Sequence, residues 1–286
     1  GGVPVPDGDY TYELCATDTA GNAVCADLAL VIDTTSLPVS RQPPVVSLSS
    51  TPDPFTPDGD GSEDVLTFAI EAESPNELRA WTLSIADAYG RDLRSFEGEG
   101  APPTRVSWDG RSLTGELVQS AQDYRATLRV RDVHGNTAEA DTRVRVGILV
   151  MQEGPTLRIR IPSITFAPNE ADLFAVPEPE LRRNLETLRG LAEVLRRYPD
   201  REILIEGHAA HDEWEEGPDR EREQREELVP LSAARADAVR RALVILGIED
   251  ERMTTVGVGG ARPVVPHSDR DAIWKNRRVE FILDKR

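Results

Sequence analysis

The sequence predicts a multidomain chain, with an all-β sandwich and part of a preceding β repeat leading into an α/β module. Three observations predict it. The 286 residues exceed what one small core needs, since domains usually run ~100 to 150 residues. Two segments repeat each other, and both alternate apolar with polar residues as strands do. From about Thr156 the spacing changes, and strand-like runs begin to alternate with helix-like ones.

The repeat comes first in chain order. DYTYELCATDTAGNAVCADLALVID from Asp9 aligns with DYRATLRVRDVHGNTAEADTRVRVG from Asp123, superposing Asp18 on Asp132 and Gly21-Asn22 on Gly135-Asn136. Each copy reads as a hairpin, with Tyr10, Tyr12 and Leu14 on one face of the first and Tyr124, Ala126, Leu128 and Val130 on one face of the second. Cys15 and Cys25 flank the first turn symmetrically, which fits a cross-strand disulfide in an oxidising compartment, with two free thiols as the alternative. The same register sets Arg129 opposite Glu139 in the second copy, where an ion pair would stand in place of sulfur.

The second hairpin completes a unit from about 44 to 148, with strands around Leu66 to Ile70 and Trp81 to Ile85 and a turn at Tyr89-Gly90. Seven or so strands suit a sandwich, and Trp81, Trp108, Tyr10 and Tyr12 are expected in cores. Asp58, Asp60, Ser62 and Asp64 have the alternate spacing of a calcium loop, but Ala69 stands where a bidentate acid would be needed. An acidic turn is the preferred reading. FTPDGDGSEDVLTF, WTLSIADAYGRDLRSFEG, SWDGRSLTGELV and DYRATLRVRDVHGN together resemble the immunoglobulin-like repeat of flagellar hook-capping and bacterial surface proteins. The resemblance implies a spacer or adhesion module, with residues 1–36 the last strands of another copy.

In the third region, 152–286, LRIRIPSITF supplies a strand and Leu181, Leu185, Leu188, Leu191 and Leu195 an amphipathic helix with Pro179 in its first turn. REILIEGH is the next strand. Ser232 is placed to cap a second helix whose inward stripe is Val239, Ala242, Leu243 and Leu246, and Gly247 to end it. MTTVGVG and NRRVEFIL follow as strands, giving βαβαββ order and a small mixed sheet with helices on one face.

EGH at 206–208, LSAARADAVRRAL at 231–243, GIEDERMTTVGVGGARPV at 247–264 and KNRRVEFIL at 275–283 resemble, in order, the motif blocks of OmpA-like peptidoglycan-binding domains. That resemblance implies non-covalent capture of the diaminopimelate of a peptidoglycan stem peptide, by an arginine matching Arg235 and an aspartate after the GH pair. His208, Asn276 and Arg278 fall in the same blocks and are further ligand candidates. Arg235 also lies four residues before Val239 on the inward stripe and in the expected first turn of its helix, where N–H groups favour an anion; an internal ion pair is the alternative.

The match departs at the acid. Ala209 and Ala210 replace threonine and aspartate, Leu228 an asparagine, and Ala272, Ile273 and Trp274 a glycine-arginine-alanine. An ammonium group desolvated without its carboxylate should cost on the order of 3 kcal/mol. A charged segment, HDEWEEGPDREREQREELVP, is inserted between His208 and Ser232. Its Asp212 or Glu213 could return a carboxylate, it could close the pocket with Trp214, or it could be a solvated helix.

Charge and composition narrow the function classes. With a formal charge of -18 and no Lys or Arg before Arg41, the chain is not expected to bind nucleic acid. Only two of the 33 basic residues are lysines, so the cations are arginines suited to gripping single carboxylates. No run approaches the ~18 apolar residues that span a bilayer, and the chain opens without a signal-peptide pattern, as an excised soluble piece would. His208, His211, Asp212 and His267 do not make a convincing metal set, and no catalytic constellation or cofactor motif stands out. The expectation is a non-enzymatic periplasmic protein, with any attachment to the outer membrane made through a missing N-terminal portion. It tethers to peptidoglycan or, having lost that ligand, serves as a scaffold for other envelope proteins.

Overall fold

The computed structural model describes residues 5–32, 41–162, 164–212 and 217–285. Strands β1 (Gly8–Thr17) and β2 (Ala23–Ile32) form a two-stranded antiparallel sheet of their own. Cys15 pairs with Cys25 in register, and the two are disulfide-bonded. The turn is held by Asp18, whose carboxylate accepts from the amides of Ala20 and Asn22 and from the Asn22 side chain. Asp132 does the same with His134 and Asn136, so the repeat shares its turn chemistry as well as its letters. Gly21 and Gly135 occupy the left-handed region at φ +89° and +88°, which a side chain would strain. The tyrosines of this hairpin are not core residues: Tyr12 is 57% exposed and nearly every position on both strands faces solvent. A lone hairpin has no second layer to bury against.

The next seven strands form two antiparallel sheets around one core. β3 (Val45–Thr51), β4 (Leu66–Glu73) and β7 (Arg105–Trp108) pair in the order β3-β4-β7. β5 (Leu78–Ala86), β6 (Asp92–Glu99), β8 (Asp123–Asp132) and β9 (Thr137–Arg145) pair as β6-β5-β8-β9. Period-two burial turns Phe68, Ile70, Leu83, Ile85, Leu128 and Val130 inward with Phe55 and Trp108. Trp108 donates its indole N–H to the Arg111 carbonyl, and Trp81 packs at the margin. Arg129 faces Glu139 and bonds it at 2.7 Å. The Asp58 loop is built from turn bonds: Asp64 accepts from the amides of Gly59 and Gly61, Asp60 from Ser62, and Asp58 from Val150.

The chain then passes without a spacer into a mixed five-stranded sheet. It contains β10 (Met151–Glu153), β11 (Thr156–Ile161), β12 (Arg201–His208), β13 (Met253–Gly259) and β14 (Val279–Lys285), in the order β10-β11-β14-β12-β13 with only β12 and β13 parallel. Helix α1 (Glu178–Arg196) lays its leucine stripe on one face, burying Leu188, Leu191 and Leu195 against Ile159, Ile203, Ile205 and Phe281. Helix α3 (Val229–Ile245) lies beside it. Gly247, at φ +89°, ends α3 with a Schellman pattern in which its amide reaches the Val244 carbonyl and that of Ile248 the Leu243 carbonyl.

The start of α3 corrects the expected cap. Helix α2 (Pro218–Glu223) and a π-helical turn, Gln224–Leu228, run directly into α3, so one continuous rod extends from Pro218 to Ile245. Pro230 has no N–H for its helical bond and would crowd the carbonyl four residues back, a strain that the wider π turn immediately before it relieves. Ser232 is therefore internal: its hydroxyl donates to the Val229 carbonyl and accepts from the Gly259 amide.

That last bond marks where the rod presses on the sheet. A methyl group on Gly207 would lie 2.0 Å from the Ser232 carbonyl oxygen, and one on Gly257 2.3 Å from that of Val229. Backbone meets backbone here, and only glycine permits it. Gly257→Ala should destabilise the chain by about 3 kcal/mol, measured as a fall in the urea midpoint at unchanged slope. An alanine at exposed Gly115, whose conformation is left-handed at φ +84° but whose surroundings are open, should cost only about 1 kcal/mol.

Candidate functional site

A cavity of about 460 Å³ opens where the end of β12, the middle of the rod and the segment before β14 converge. His208, Ala209 and Ala210 form one side, Leu228, Leu231 and Arg235 another, and Trp274, Arg277 and Arg278 a third, with Phe166 and Asp212 at the margins. Four of the expected ligand residues, Arg235, His208, Asp212 and Arg278, thus share one cavity with the alanine at 210.

Arg235 is half-buried and its partners are not acids. Its Nε donates to the Glu170 carbonyl at 2.9 Å and a terminal nitrogen to that of Ala167 at 3.3 Å, while its plane lies 5.0 Å from the centre of the Phe166 ring. No internal ion pair to Arg235 exists among the described residues. Burial, then the nearby charge of Arg277, pulls its pKa below the usual arginine value without discharging it. Because the rod begins at Pro218, Arg235 is several turns from any free helix terminus, so the expected help from the first-turn N–H groups is absent. The cation itself carries the attraction for an anion.

His208 forms the cavity floor and is 3% exposed. Neither ring nitrogen has a hydrogen-bond partner, and Nε2 lies 3.5 Å from the Glu206 carboxylate. Burial, reinforced by the positive charge of Arg278, pushes its pKa down to about 3, so the ring is neutral at physiological pH. Arg278 is buried against Glu280 at 2.6 Å and reaches the Arg262 carbonyl at 3.1 Å.

Asn276 takes a different place from the one expected. It is fully buried, accepts from the amides of Val264 and Val265, and donates to the Val265 carbonyl, so it shapes the loop behind the cavity without lining it. Asp212 is exposed at the cavity edge, and its amide is fixed by Glu223 at 2.9 Å. Glu213 and Trp214 lie outside the described residues.

The charged insertion folds in part as α2 and the π turn, and it is latched at its base. His211 Nδ1 meets Glu223 at 2.8 Å, the His211 amide donates to Nδ1 of His267, and His267 Nε2 therefore carries the proton it gives to the Gly260 carbonyl. Gln224 completes the latch by bonding the Val258 carbonyl and the Gly260 amide, both at 2.8 Å. His211 and His267 are thus occupied in holding the segment. Sequence reasoning singled them out only as weak metal candidates.

Two contributors escaped the sequence reading. Arg277 stands at the rim, exposed, as a second cation facing the cavity. Tyr89 also lines it, from the sandwich. Arg277 was visible only as part of the KNRRVEFIL block and Tyr89 only as a turn residue.

A family model described as the OmpA family matches residues 165–277. The peptidoglycan-associated lipoprotein of Brucella melitensis is 38% identical over 100 residues, covering 35% of this chain and 53% of its own. The peptidoglycan-binding protein ArfA of Mycobacterium tuberculosis is 31% identical over 99 residues, covering 35% of this chain and 27% of its own. The chain therefore spans about half the length of the first and about a quarter of the second. Among solved structures, the peptidoglycan-associated lipoprotein of Burkholderia pseudomallei is 27% identical, with a TM-score of 0.32, and covers 42% of this chain and 88% of its own.

The His208 environment has a pH consequence. A folded pKa held below the free value near 6.5 contributes stability that is full above that value and is lost as pH falls toward 3. Relative to His208→Gln, the parent should lose on the order of 2 kcal/mol of additional stability between pH 7 and pH 4.5, measured by urea unfolding at both pH values.

Proposed function

Residues 165–277 form an OmpA domain, and from that premise we propose a non-enzymatic, periplasmic envelope protein that contacts peptidoglycan through a pocket altered on its acidic side. The observation that carries this reading is Arg235: a half-buried cation on the wall of an open cavity, bonded only to carbonyls among the described residues. Such a group supports the capture of a carboxylate, with Arg277 as a second positive charge at the rim. A diaminopimelate of a stem peptide offers that carboxylate together with an ammonium group. His208 supplies a neutral polar floor, and its amide is bonded to the Arg278 carbonyl.

The ammonium is where this pocket differs. Ala210 is buried in the cavity wall and carries no charge, so the acid facing a bound ligand is Asp212, two positions along and fixed through Glu223. The N-terminal strands are read as immunoglobulin-like spacers and the C-terminal module as a βαβαββ unit preceded by one short strand. No helix among the described residues is long and apolar enough to cross a membrane. The second reading, a scaffold for other envelope proteins that no longer holds peptidoglycan, is favoured by Ala209 and Ala210 alone.

Sedimentation with purified peptidoglycan and calorimetry with diaminopimelate distinguish the two. The parent should bind and Arg235→Ala should weaken binding by about two orders of magnitude, whereas a parent that does not bind would eliminate the tethering reading. In the same assay Asp212→Asn should weaken binding about tenfold if Asp212 serves the ammonium, and Ala210→Asp should strengthen it if that position is unserved.

A further inference from the structure

The cavity is not confined to one domain. Tyr89 sits on the turn between β5 and β6 of the sandwich and lines the same cavity as Arg235 and Arg277. We propose that the ligand site is composite: Tyr89 is a ligand-contacting residue, and a peptidoglycan stem peptide held by Arg235 touches the sandwich at the same time. The proposal rests on the peptidoglycan reading above and adds a second domain to it.

The turn that presents Tyr89 is rigid. Asp87 accepts from the amides of Tyr89 and Arg91 at 2.9 and 3.0 Å, and Gly90, at φ +79°, donates back to the Asp87 carbonyl. The turn is also pinned to the other domain. Tyr89 and Trp274 pack with ring centres 5.5 Å apart, and Arg91, ion-paired with Asp87, lies 5.3 and 5.8 Å from the two ring centres. Arg91 donates to the Asp271 carbonyl, and Lys275 pairs with Glu116 of the sandwich.

These contacts fall on Asp271 and on the 3₁₀ turn Ile273–Asn276 that follows it, which immediately precedes Arg277 and Arg278. The interdomain clamp and the cationic side of the cavity are therefore adjacent along one short stretch of backbone. Tyr89 nevertheless remains 67% exposed, so stacking on Trp274 uses only part of the ring. The remainder borders a cavity whose lining also carries Arg235, Arg277 and Arg278. A ligand whose carboxylate is anchored at Arg235 and Arg277 has its aliphatic portion within the same enclosure, where an aromatic wall shields it from water.

The test is calorimetry of the whole chain with a diaminopimelate-containing stem peptide, comparing the parent, Tyr89→Ala, Tyr89→Phe and Arg235→Ala. Tyr89→Ala should weaken binding about tenfold while lowering the melting temperature by only about a few degrees, and Tyr89→Phe, which keeps the ring, should stay within about twofold of the parent. If the parent binds, Arg235→Ala weakens binding by about two orders of magnitude and Tyr89→Ala stays within about twofold of the parent, the composite site is overturned while the peptidoglycan reading stands. A parent that binds no stem peptide removes both.

Discussion

Glu206 and Glu280 lie directly opposite each other on β12 and β14, both almost fully buried, on the sheet face away from the helices. Two carboxylates in that relation repel, and each loses its hydration. The fold answers with arginines: Arg158 and Arg278 at 2.6 Å and Arg160 at 3.3 Å from Glu280, and Arg262 at 2.8 Å from Glu206. Burial alone would raise the Glu280 pKa, but the charge of Arg278 and bonds from Arg158 and Arg278 hold it below the ordinary value. Much of the rest follows from that arrangement. Surplus positive charge around His208 helps keep the ring neutral, and Arg278 is fixed beneath the cavity with one terminal nitrogen unbonded. The same face requires cover, and residues of the sandwich, among them Leu117, Val118 and Leu149, border the arginine-rich side of the sheet.

On the opposite face a different constraint acts. The rod from Pro218 to Ile245 approaches the sheet at Gly207 and Gly257 so closely that Ser232 bonds the strand backbone directly. This contact sets the position of Arg235, three residues further along the same helix. The π turn before Pro230 lets the rod remain continuous from the insertion to the pocket, joining the His211, Glu223 and Gln224 latch to the wall that carries Leu228, Leu231 and Arg235. The insertion is structurally part of the pocket wall, not an appendage to it.

The local patterns were legible in the sequence. Alternation gave the strands and the hairpin register, including the Cys15 and Cys25 pair and the Arg129 and Glu139 pair, because cross-strand register follows directly from a period of two. The leucine stripe of α1 and the Gly247 terminator were equally plain. What could not be read was long-range or cooperative. A proline well inside a rod looks like a helix start unless a π turn precedes it, which misplaced both the cap at Ser232 and the dipole argument for Arg235. Asn276 carried a family position but spends its side chain on the backbone of Val264 and Val265. The expected burial of Tyr12 failed because alternation shows that a strand has two faces, not that a second layer exists to cover one. Trp274 appeared only as a departure from a motif, and its partner Tyr89 is far away along the chain.

The junction between the two large domains has no slack. Leu149 belongs to the sandwich core and its amide donates to the Ser120 hydroxyl, the Val150 amide donates to the Asp58 carboxylate, and Met151 already opens the next sheet. A flexible leash sets only how far apart its two ends can travel. This junction behaves as a strut, fixing a direction as well as a distance, so a load on the pocket would turn the sandwich with it.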